Sequence, residues 1–276
     1  MRSPILSIVI ANYNYGRFIK ATLDSVFEQY DPRVEVIVVD GGSTDDSVNV
    51  IKQYADKIAW WISERDRGQS DAFNKGFAHC RGKYLTWLNA DDILLSGALC
   101  RVLDEMERHP SCQWFAANTV YFNNDKTVNV ITTQLGNFWP ALLRVPGWMR
   151  ANGPSTFFTR ELFEKVGPIR EDLRYVMDID LWMRFDEAGA RLRYIPGYVW
   201  GFRLHEESKT ASSVSEGRKD QRFQEERTAI RKEHGVGACK EACAIWRKRI
   251  AGILSGGFAG RLLQMRCYAG KSIDLI

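Results

Sequence analysis

Short apolar runs alternate with helical patterns over the first 110 residues, and this alternation constrains the fold more than any other feature. The apolar runs have the length of strands and lie at 5–10, 34–39, 58–62 and 84–88. The segments between them carry apolar residues every three or four positions, as at Ile19, Leu23 and Val26. Apolar strands that alternate with amphipathic helices form a mostly parallel sheet covered on both faces. The pattern therefore predicts an α/β fold whose ligands bind beyond the carboxyl ends of the strands.

The regular alternation weakens after Pro110, where the remaining pattern predicts further strands. These strands lie at 114–122, 128–133, 155–158, 192–195 and 198–202, and the first two suit an antiparallel pair. Short helical patterns begin at Leu162 and at Asp178. We expect one domain over residues 1–217, followed by a basic helical C-terminal extension over 218–276.

Basic residues are concentrated at the C-terminal end. From Arg218 onward the chain has 13 Lys and Arg against six Asp and Glu, whereas the preceding residues have 25 against 28. Apolar and basic residues around Trp246 predict contact with an anionic membrane surface. A homodimer formed through the same segment, or a solvated helical face, explains the pattern as well. A nucleic-acid partner is not expected.

The N-terminus and the cysteines indicate the compartment. The chain enters its first strand without the apolar region and cleavage site of a signal peptide, and no apolar stretch is long enough to span a bilayer. The six cysteines form no CxxC pair, so reduced and mostly buried thiols are expected. These features predict a cytoplasmic protein, peripheral on the inner face of the membrane if the basic extension binds there.

Three groups of acidic residues lie at the ends of predicted elements. Asp40 ends the second apolar run, Asp91 and Asp92 follow the fourth, and Asp178 opens a helical pattern. Adjacent carboxylates repel each other, and a divalent cation such as Mg²⁺ or Mn²⁺ would offset that repulsion. Each acid alone suits a turn or a helix cap. Together, the three groups predict a metal-dependent site.

Five segments, in the same order, resemble the motifs of family 2 glycosyltransferases. They are Ser7–Asn14, Val39–Asp45, Asp66–Gly76, Leu88–Asp92 and Met177–Trp182. The fourth is similar to the metal-binding DxD region of that family. The resemblance covers about residues 5–210 and implies the GT-A fold, a mixed, mostly parallel sheet flanked by helices. It also implies a nucleotide-binding half over about 1–110 and an acceptor-binding half over about 111–217.

The resemblance implies which residues contact the base and ribose of a sugar-nucleotide donor. Ala11, Asn12 and Tyr13 would border the base, with the Tyr13 ring either stacking on it or filling the core. Asp40 would accept hydrogen bonds from the base or ribose. Asn89, where the family often has Asp, would bond the ribose.

The resemblance places two further residues, Gly68 and Asp71, beside the donor. Gly68 would let the backbone approach the ligand closely. Asp71 would contact the donor directly, and its alternative role is an ion pair with Lys75 one helical turn along.

The metal and the diphosphate are implied to lie near the acidic pair. Asp91 is the first candidate ligand for Mn²⁺ or Mg²⁺. Asp92 could share or replace it, because the sequence does not decide which of the two carboxylates faces the diphosphate. His205 matches a late histidine of the family that supplies a further metal ligand. Lys209 would neutralise phosphate charge.

Acceptor binding and catalysis are implied for the fifth segment. Asp178 matches the general base of inverting members, and Asp180, two residues along, would face elsewhere. Trp182 and Trp148 are candidate acceptor platforms. Met177 stands where the family usually has Glu, so the acceptor preference of better-matched members does not carry over.

The function implied is inverting transfer of a hexosyl or N-acetylhexosaminyl group from a nucleoside diphosphate, most often UDP. The acceptor would be a hydroxyl of a glycan or lipid-linked glycan in bacterial polysaccharide biosynthesis at the cell envelope. The QxxRW motif and membrane spans of processive synthases are absent from the sequence. A degenerate nucleotide-sugar-binding protein and a nucleotidyltransferase on a related fold are the alternatives.

Overall fold

The computed structural model describes residues 3–131, 155–208, 221–236 and 269–275 of the chain. Trp148, Lys209 and the basic residues around Trp246 lie outside these described residues, as does the proposed domain boundary at 217. The predictions that concern them stay predictions. Within the described ranges, no helix is both long and apolar enough to cross a bilayer.

Strands and helices alternate at first as predicted. The described strands are β1 (Leu6–Asn12), β2 (Val34–Asp40), β3 (Trp60–Ser63), β4 (Tyr84–Asn89), β5 (Ile93–Leu94), β6 (Trp114–Asn123), β7 (Val128–Ile131), β8 (Thr156–Thr159) and β9 (Leu192–Leu204). The described α-helices are α1 (Gly16–Phe27), α2 (Ser47–Lys52), α3 (Gln69–Ala78), α4 (Ala98–Arg108), α5 (Arg160–Val166), α6 (Met177–Glu187) and α7 (Gln221–Glu233). A short 3₁₀ helix follows at Ile273–Leu275.

The strands form one mixed sheet in the order β3-β2-β1-β4-β8-β6-β9-β5, with β7 beside β6. β1 pairs in parallel with β2 and β4, and β2 pairs in parallel with β3. β8 runs antiparallel to both β4 and β6, whereas β9 is parallel to β6. The predicted antiparallel pair of 114–122 and 128–133 is present as β6 and β7.

One prediction for the second half is wrong, because 192–195 and 198–202 belong to a single strand, β9. Pro196 and Gly197 had separated two apolar runs in the sequence. In the structure the chain passes through them without leaving the sheet. Gly197 takes a positive φ of 81°, which only glycine adopts readily, and the register against β6 shifts nearby.

Apolar residues cover both faces of the sheet, as predicted. Ile8 and Ile10 of β1 belong to the buried cluster that also contains Leu23 of α1 and Val102 of α4. Val9, between them, belongs to the opposite cluster, together with apolar residues of α3, α5 and α6. The alternation follows from the two-residue period of a strand. The expectation of buried thiols holds for Cys80 but is wrong for Cys100, which is exposed.

The strand order creates a crevice at the carboxyl edge of the sheet. From β1 the chain moves outward through β2 to β3, and α3 then carries it back to β4 on the other side of β1. Loops leaving β1 and β4 diverge at such a switch point, which is where α/β sheets bind ligands. Asn12 lies opposite Asp40, and Ala11 lies opposite Asn89. The register therefore gathers three predicted segments at this edge.

At the opposite end of the parallel strands, the buried carboxylate of Glu35 in β2 links β1 to the turn before β4. It accepts hydrogen bonds from the Ser7 hydroxyl (2.7 Å), from Nε of Arg81 (2.8 Å) and from the backbone N–H of Gly82 (3.1 Å). We expect Glu35→Ala to lower the free energy of unfolding by about 2–3 kcal/mol, because it leaves buried donors without partners. Urea denaturation measures this change.

The surface substitution Glu107→Ala is the control for Glu35→Ala. Glu107 pairs with Arg33 at 2.6 Å, but half of its side chain is exposed. We expect this change to cost less than about 1 kcal/mol. Equal losses in the two variants would contradict the role assigned to Glu35.

Candidate active site

The loops that follow β1 and β2 are joined by the carboxylate of Asp40. Oδ1 of Asp40 accepts from Nδ2 of Asn12 and from the Ser43 hydroxyl, both at 2.6 Å. Oδ2 accepts from the Ser43 N–H (2.9 Å) and the Ser63 hydroxyl (2.6 Å). Asp40 is 0% exposed. A contact between Asp40 and a base or ribose would therefore have to replace one of these four internal bonds.

Tyr13 lies at the rim of the same edge, and 59% of it is exposed. The alternative that Tyr13 fills the core is therefore wrong. Ala11, two residues earlier in β1, is half-buried, and Asn12 between them is buried. The exposed ring leaves a flat surface on which a base could stack.

The loop before α3 holds Gly68 and Asp71. Gly68 has a φ of 120°, which glycine adopts readily, and an added Cβ would meet no protein atom within 4 Å. The buried Asp71 carboxylate accepts from the Arg67 N–H (3.0 Å) and guanidinium (2.8 Å), and Lys75 lies 3.4 Å away. Burial alone would raise the pKa of Asp71, but these partners lower it below its usual value. The alternative pairing with Lys75 is thus present.

Asn89 and Asp92 are bonded within the turn that follows β4. Oδ1 of Asn89 accepts from Nε2 of Gln69 (2.9 Å), and its Nδ2 donates to Oδ2 of Asp92 (2.8 Å). The second oxygen of Asp92 accepts from the backbone N–H of Arg203 (3.0 Å). Burial and the charge of Asp91 raise the pKa of Asp92 well above its ordinary value, against the effect of these hydrogen bonds. Asp92 is 1% exposed and points into the protein.

Asp91 differs from Asp92 in the number of hydrogen bonds that its carboxylate oxygens make to described residues. Oδ2 of Asp91 lies 2.9 Å from Nε2 of His205, and no described residue bonds to Oδ1. The two residues meet because β5, just after Asp91, pairs with β9, just before His205. The imidazole packs edge-on against the Tyr15 ring and tilted against the Phe18 ring. Burial and the charge of Asp91 raise the pKa of Tyr15 to about 12.

Arg203 is a residue that the sequence patterns did not single out. Its Nε donates to the backbone carbonyl of Asp91 (2.9 Å), and its buried guanidinium lies 4.6 Å from the centre of the Phe122 ring. Burial lowers the pKa of Arg203, although the charges of Asp91 and Asp92 oppose that effect. The hydrogen bond from the buried Arg203 guanidinium to the Asp91 carbonyl therefore stabilises the acidic turn on its inner side. Only its position, two residues before His205, hinted at this role.

The Asp91–His205 pair fits a divalent cation. Two neighbouring ligands, each about 2.1 Å from a Mg²⁺ or Mn²⁺ ion, lie about 3 Å apart, close to the observed separation. No group of three His, Cys, Asp or Glu side chains that could hold a metal occurs in the described ranges. A Mg²⁺-type site needs only one or two protein ligands, because substrate phosphates and water complete it. Asp91 and His205 would hold the cation, whereas each oxygen of the buried Asp92 carboxylate already accepts a hydrogen bond.

Asp178 lies at the same edge, at the start of α6. Gln69 donates to Asn89 in the acidic turn, and its neighbour Ser70 donates to Sδ of Met177 at 2.9 Å. Helix α6 therefore begins beside the acidic turn. Tyr121 lies within electrostatic reach of both carboxylate groups, since its pKa is raised to about 12 by burial and by the charges of Asp92 and Asp178. The Asp178 carboxylate accepts only from the N–H of Ile179 among the described residues.

The environment of Asp178 changes its acidity. Burial raises the pKa of its carboxyl to about 6, despite the opposing hydrogen bond from the Ile179 N–H. Asp180 instead faces the other side of α6, where it pairs with Arg184 at 2.8 Å. The separation of Asp178 and Asp180 expected from helical geometry is therefore present.

Helix α7 supports the segment that leads to Asp178. Glu226 accepts from the backbone N–H groups of Arg174 (3.1 Å) and Tyr175 (2.9 Å). His234, just beyond α7, lies 3.3 Å from Asp180. These contacts join residues far apart in the chain, so no sequence pattern pointed to them.

The predicted contact between Trp182 and the acceptor is wrong. It is 2% exposed and stacks between Trp87 and Trp114, with ring centres 5.5 and 5.7 Å away. A side chain inside the core offers no surface to an acceptor. The spacing of four residues from Asp178 had suggested that Trp182 also faces the acceptor, but one turn further along α6 its ring packs against the sheet.

Comparison with known proteins gives the family. The sequence profile of Glycosyl transferase family 2 matches residues 7–167, more than half of the chain. The chain belongs to glycosyl transferase family 2. An uncharacterised glycosyltransferase of Nostoc sp. is 32% identical over 173 residues, which cover 59% of this chain and 53% of that protein. The chain spans about half the length of the curated relatives it matches.

Two solved structures share the architecture. S. aureus TarS 1-349 in complex with UDP matches with a TM-score of 0.61 and 16% identity, over 74% of this chain and 61% of that chain. The mannosyltransferase PcManGT from Pyrobaculum calidifontis, in complex with GDP-Man and Mn²⁺, matches with a TM-score of 0.61 and 19% identity, over 97% and 80%. The predicted GT-A fold of this family 2 chain is thereby confirmed.

Proposed function

We propose that the protein transfers a sugar from a nucleoside diphosphate to an acceptor hydroxyl with inversion of the anomeric configuration. The observation that carries the proposal is that two possible metal ligands and a carboxylate suited to act as a base lie at the same end of the sheet. Nε2 of His205 lies 2.9 Å from Oδ2 of Asp91, a separation that suits two ligands of one cation, and the Asp178 carboxylate at the same edge has an oxygen without a partner among the described residues.

Asp91 and His205 would hold the cation beside the donor diphosphate. When bound, Mn²⁺ or Mg²⁺ offsets the negative charge that develops on the departing diphosphate. Asp92 keeps the turn in shape through its bonds to Asn89 and Arg203. Tyr13, exposed at the rim, would stack on the base. Lys209, predicted to neutralise phosphate, lies outside the described residues.

Asp178 acts as the general base in the proposed reaction. It accepts the proton of the acceptor hydroxyl while that oxygen forms a bond to the anomeric carbon. The bond between the anomeric carbon and the diphosphate oxygen breaks in the same step, and the nucleoside diphosphate leaves. Because attack and departure occur on opposite sides, the configuration inverts without a covalent enzyme intermediate.

The relatives support a class of donor and a class of acceptor. TarS has been solved with UDP and with UDP-GlcNAc, and PcManGT with GDP-Man and Mn²⁺. Chondroitin synthase of Escherichia coli is 27% identical over 217 residues, which are 77% of this chain and 31% of that protein. We propose a UDP-hexose or UDP-N-acetylhexosamine donor and a glycan or lipid-linked acceptor in bacterial polysaccharide synthesis. The basic extension would then lie on the membrane that carries the acceptor.

The raised pKa of Asp178 predicts a pH dependence. The carboxylate is the active form, so activity is present above pH 6 and is lost as the pH falls through the pKa of about 6. We expect kcat/KM, which reports the free enzyme, to fall about tenfold for each pH unit below 6, whereas an unshifted aspartate would keep it constant to about pH 5. Initial rates at substrate concentrations well below saturation measure this, with the melting temperature followed over the same range. A constant kcat/KM between pH 5 and 7 would contradict the assignment.

A panel of nucleotide sugars tests the proposed function. Each is added to the full chain with Mn²⁺ or with EDTA, and melting temperature and nucleoside diphosphate release are recorded. We expect one UDP-sugar to raise the melting temperature only with Mn²⁺, and to be hydrolysed slowly when water replaces the acceptor. Binding without release would favour a degenerate binding protein. Release of pyrophosphate from a nucleoside triphosphate would favour a nucleotidyltransferase.

A further inference from the structure

We propose that Glu226 of α7 is a positioning residue for Asp178, the general base of the proposed reaction. Glu226 does not touch the reacting groups. It acts through the backbone that leads into α6, beginning at Arg174, which lies 52 residues earlier in the chain. The inference rests on the proposed function and adds to it the part of the chain that fixes the base in place.

The N-terminus of α6 has no side-chain cap of its own. Val176 occupies the N-cap position, and its apolar side chain accepts no bond from the first turn. Helix α5 begins differently, at Thr159, whose hydroxyl accepts from the Leu162 N–H at 3.2 Å. Asp178 lies in the uncapped first turn, and among the described residues its carboxylate accepts only from the N–H of Ile179 in the same turn. The position of the base therefore depends on how the start of α6 is held.

The Glu226 carboxylate holds the chain just before that turn. Its Oε2 accepts from the backbone N–H of Tyr175 at 2.9 Å, and both of its oxygens lie 3.1 Å from the N–H of Arg174. The Glu226 side chain is 10% exposed. Burial would raise the pKa of Glu226, but the bonds from Tyr175, Arg174 and Arg222 lower it below its usual value. The ionised carboxylate thus binds two N–H groups directly ahead of α6, and such charge-assisted bonds are strong.

Other contacts keep α7 against α6 without Glu226. Ile230 of α7 is fully buried in the apolar cluster to which α6 contributes. His234, just beyond α7, lies 2.7 Å from Glu187 at the other end of α6. Substitution of Glu226 should therefore leave the two helices packed together and loosen only the start of α6.

A small movement at the start of α6 is enough to impair a base. A base acts only within hydrogen-bond reach of the proton that it takes, and helix ends without support fray. A misplacement of about 1 Å costs up to roughly 10²-fold in rate, so we expect loss of Glu226 to lower kcat about 10- to 100-fold. The Asp91–His205 pair is held by the pairing of β5 with β9, so the binding of the donor should not change.

The test follows UDP release, on the full chain with Mn²⁺, from the UDP-sugar that the panel above selects. Water serves as the acceptor and needs no acceptor site, so kcat reports the base. We expect Glu226→Ala to lower kcat about 10- to 100-fold, with unchanged affinity for UDP in Mn²⁺. Glu226→Gln keeps an oxygen for the Tyr175 and Arg174 N–H groups, and we expect its kcat within about threefold of wild type.

Two precautions separate this effect from a loss of folded protein. Rates are counted per UDP-binding site, measured by titration calorimetry. If Glu226→Ala does not fold, Glu226→Asp takes its place, because it keeps the charge but is one methylene too short for both N–H groups. Its kcat should fall at least about fivefold.

Glu225→Ala is the matched control. Glu225 is the neighbouring glutamate of α7, is exposed and accepts from Gln221 of the same helix at 2.7 Å. It has the same helical surroundings as Glu226 but faces away from α6. We expect its kcat to stay within about twofold of wild type, since exposed substitutions of this kind have small effects.

The double variant Glu226→Ala/Asp178→Asn shows whether Glu226 acts through the base. Residues that act together are not additive, so the double variant should have the kcat of Asp178→Asn within about twofold. An equal further loss in that background would overturn the role of Glu226 and leave the proposed function standing. A wild-type kcat in Glu226→Ala, or a Glu226→Gln variant as slow as Glu226→Ala, would overturn it as well.

Failure of the proposed function itself gives a different result. If wild type neither bound nor hydrolysed any UDP-sugar, the proposed function would be refuted and the role of Glu226 with it. If Asp178→Asn kept the kcat of wild type while Glu226→Ala lost activity, the assignment of the base would be wrong, and Glu226 could not act through it.

Discussion

Asp178→Asn should lower kcat roughly 10²- to 10⁴-fold, the range that a positioned general base contributes. The amide has nearly the same size and can still accept from the Ile179 N–H, which is the one bond that the carboxylate makes among the described residues. It cannot take a proton from the acceptor hydroxyl. We therefore expect the affinity for UDP with Mn²⁺ to be unchanged. Initial rates and titration calorimetry on the same preparation measure the two effects separately.

Asp172→Asn is the control for this substitution. Asp172 is exposed, lies six residues before Asp178 and pairs with Arg170 at 2.7 Å. We expect its kcat to stay within about twofold of wild type, because surface ion pairs contribute little. If Asp178→Asn retained a kcat close to that of wild type, another group would have to take the proton.

Asp91→Asn should weaken UDP binding in Mn²⁺ by roughly 100-fold or more, since even the outer partners of metal ligands are worth 10- to 100-fold. The amide replaces a charged oxygen ligand with a neutral one and so weakens the Asp91–His205 pair as a cation site. We expect little change in UDP binding in EDTA, where no cation is present in either protein. Titration calorimetry with and without Mn²⁺ gives both values.

Asp92→Asn distinguishes the two adjacent acids. Both oxygens of Asp92 accept internal hydrogen bonds, from Arg203 and Asn89. The amide NH₂ group of Asn cannot accept a hydrogen bond, so it would face one of these N–H donors without bonding to it. We therefore expect a loss of about 1–3 kcal/mol in the free energy of unfolding. Folded protein should keep its Mn²⁺-dependent gain in UDP affinity. Loss of that gain in Asp92→Asn but not in Asp91→Asn would reverse the assignment of the metal ligand.

The first half of the fold could be predicted from local patterns. Each strand from β1 to β4 is an apolar run between amphipathic segments, and the carboxyl edge follows from parallel pairing. The second half mixes parallel and antiparallel strands, so its order depends on distant contacts. Pro196 and Gly197 illustrate the difficulty, because the bulge that keeps β9 continuous is formed against β6 and cannot be read from the local sequence.

The order of the motifs predicted which segments meet at the site, but it could not show which acidic side chains have an oxygen without an internal hydrogen bond. Asp40 was expected to contact the base or ribose, and Asp91 and Asp92 to bind the metal, but no motif shows which carboxylate oxygens already have partners inside the protein. Their difference lies in partners from elsewhere: Ser63 bonds Asp40, and the backbone of Arg203 bonds Asp92. Trp182 shows the same limit, since the position of an aromatic residue on a helix does not reveal which face the sheet covers.

The central claim is that a cation held by Asp91 and His205 and a base at Asp178 act on opposite sides of one carbon. Proton NMR of donor hydrolysis tests it directly. With an α-linked UDP-sugar and Mn²⁺, the account predicts that the first sugar released is the β-anomer, before mutarotation mixes the two forms. Release of the α-anomer would contradict it, because retention requires either two displacements or attack from the side of the leaving group.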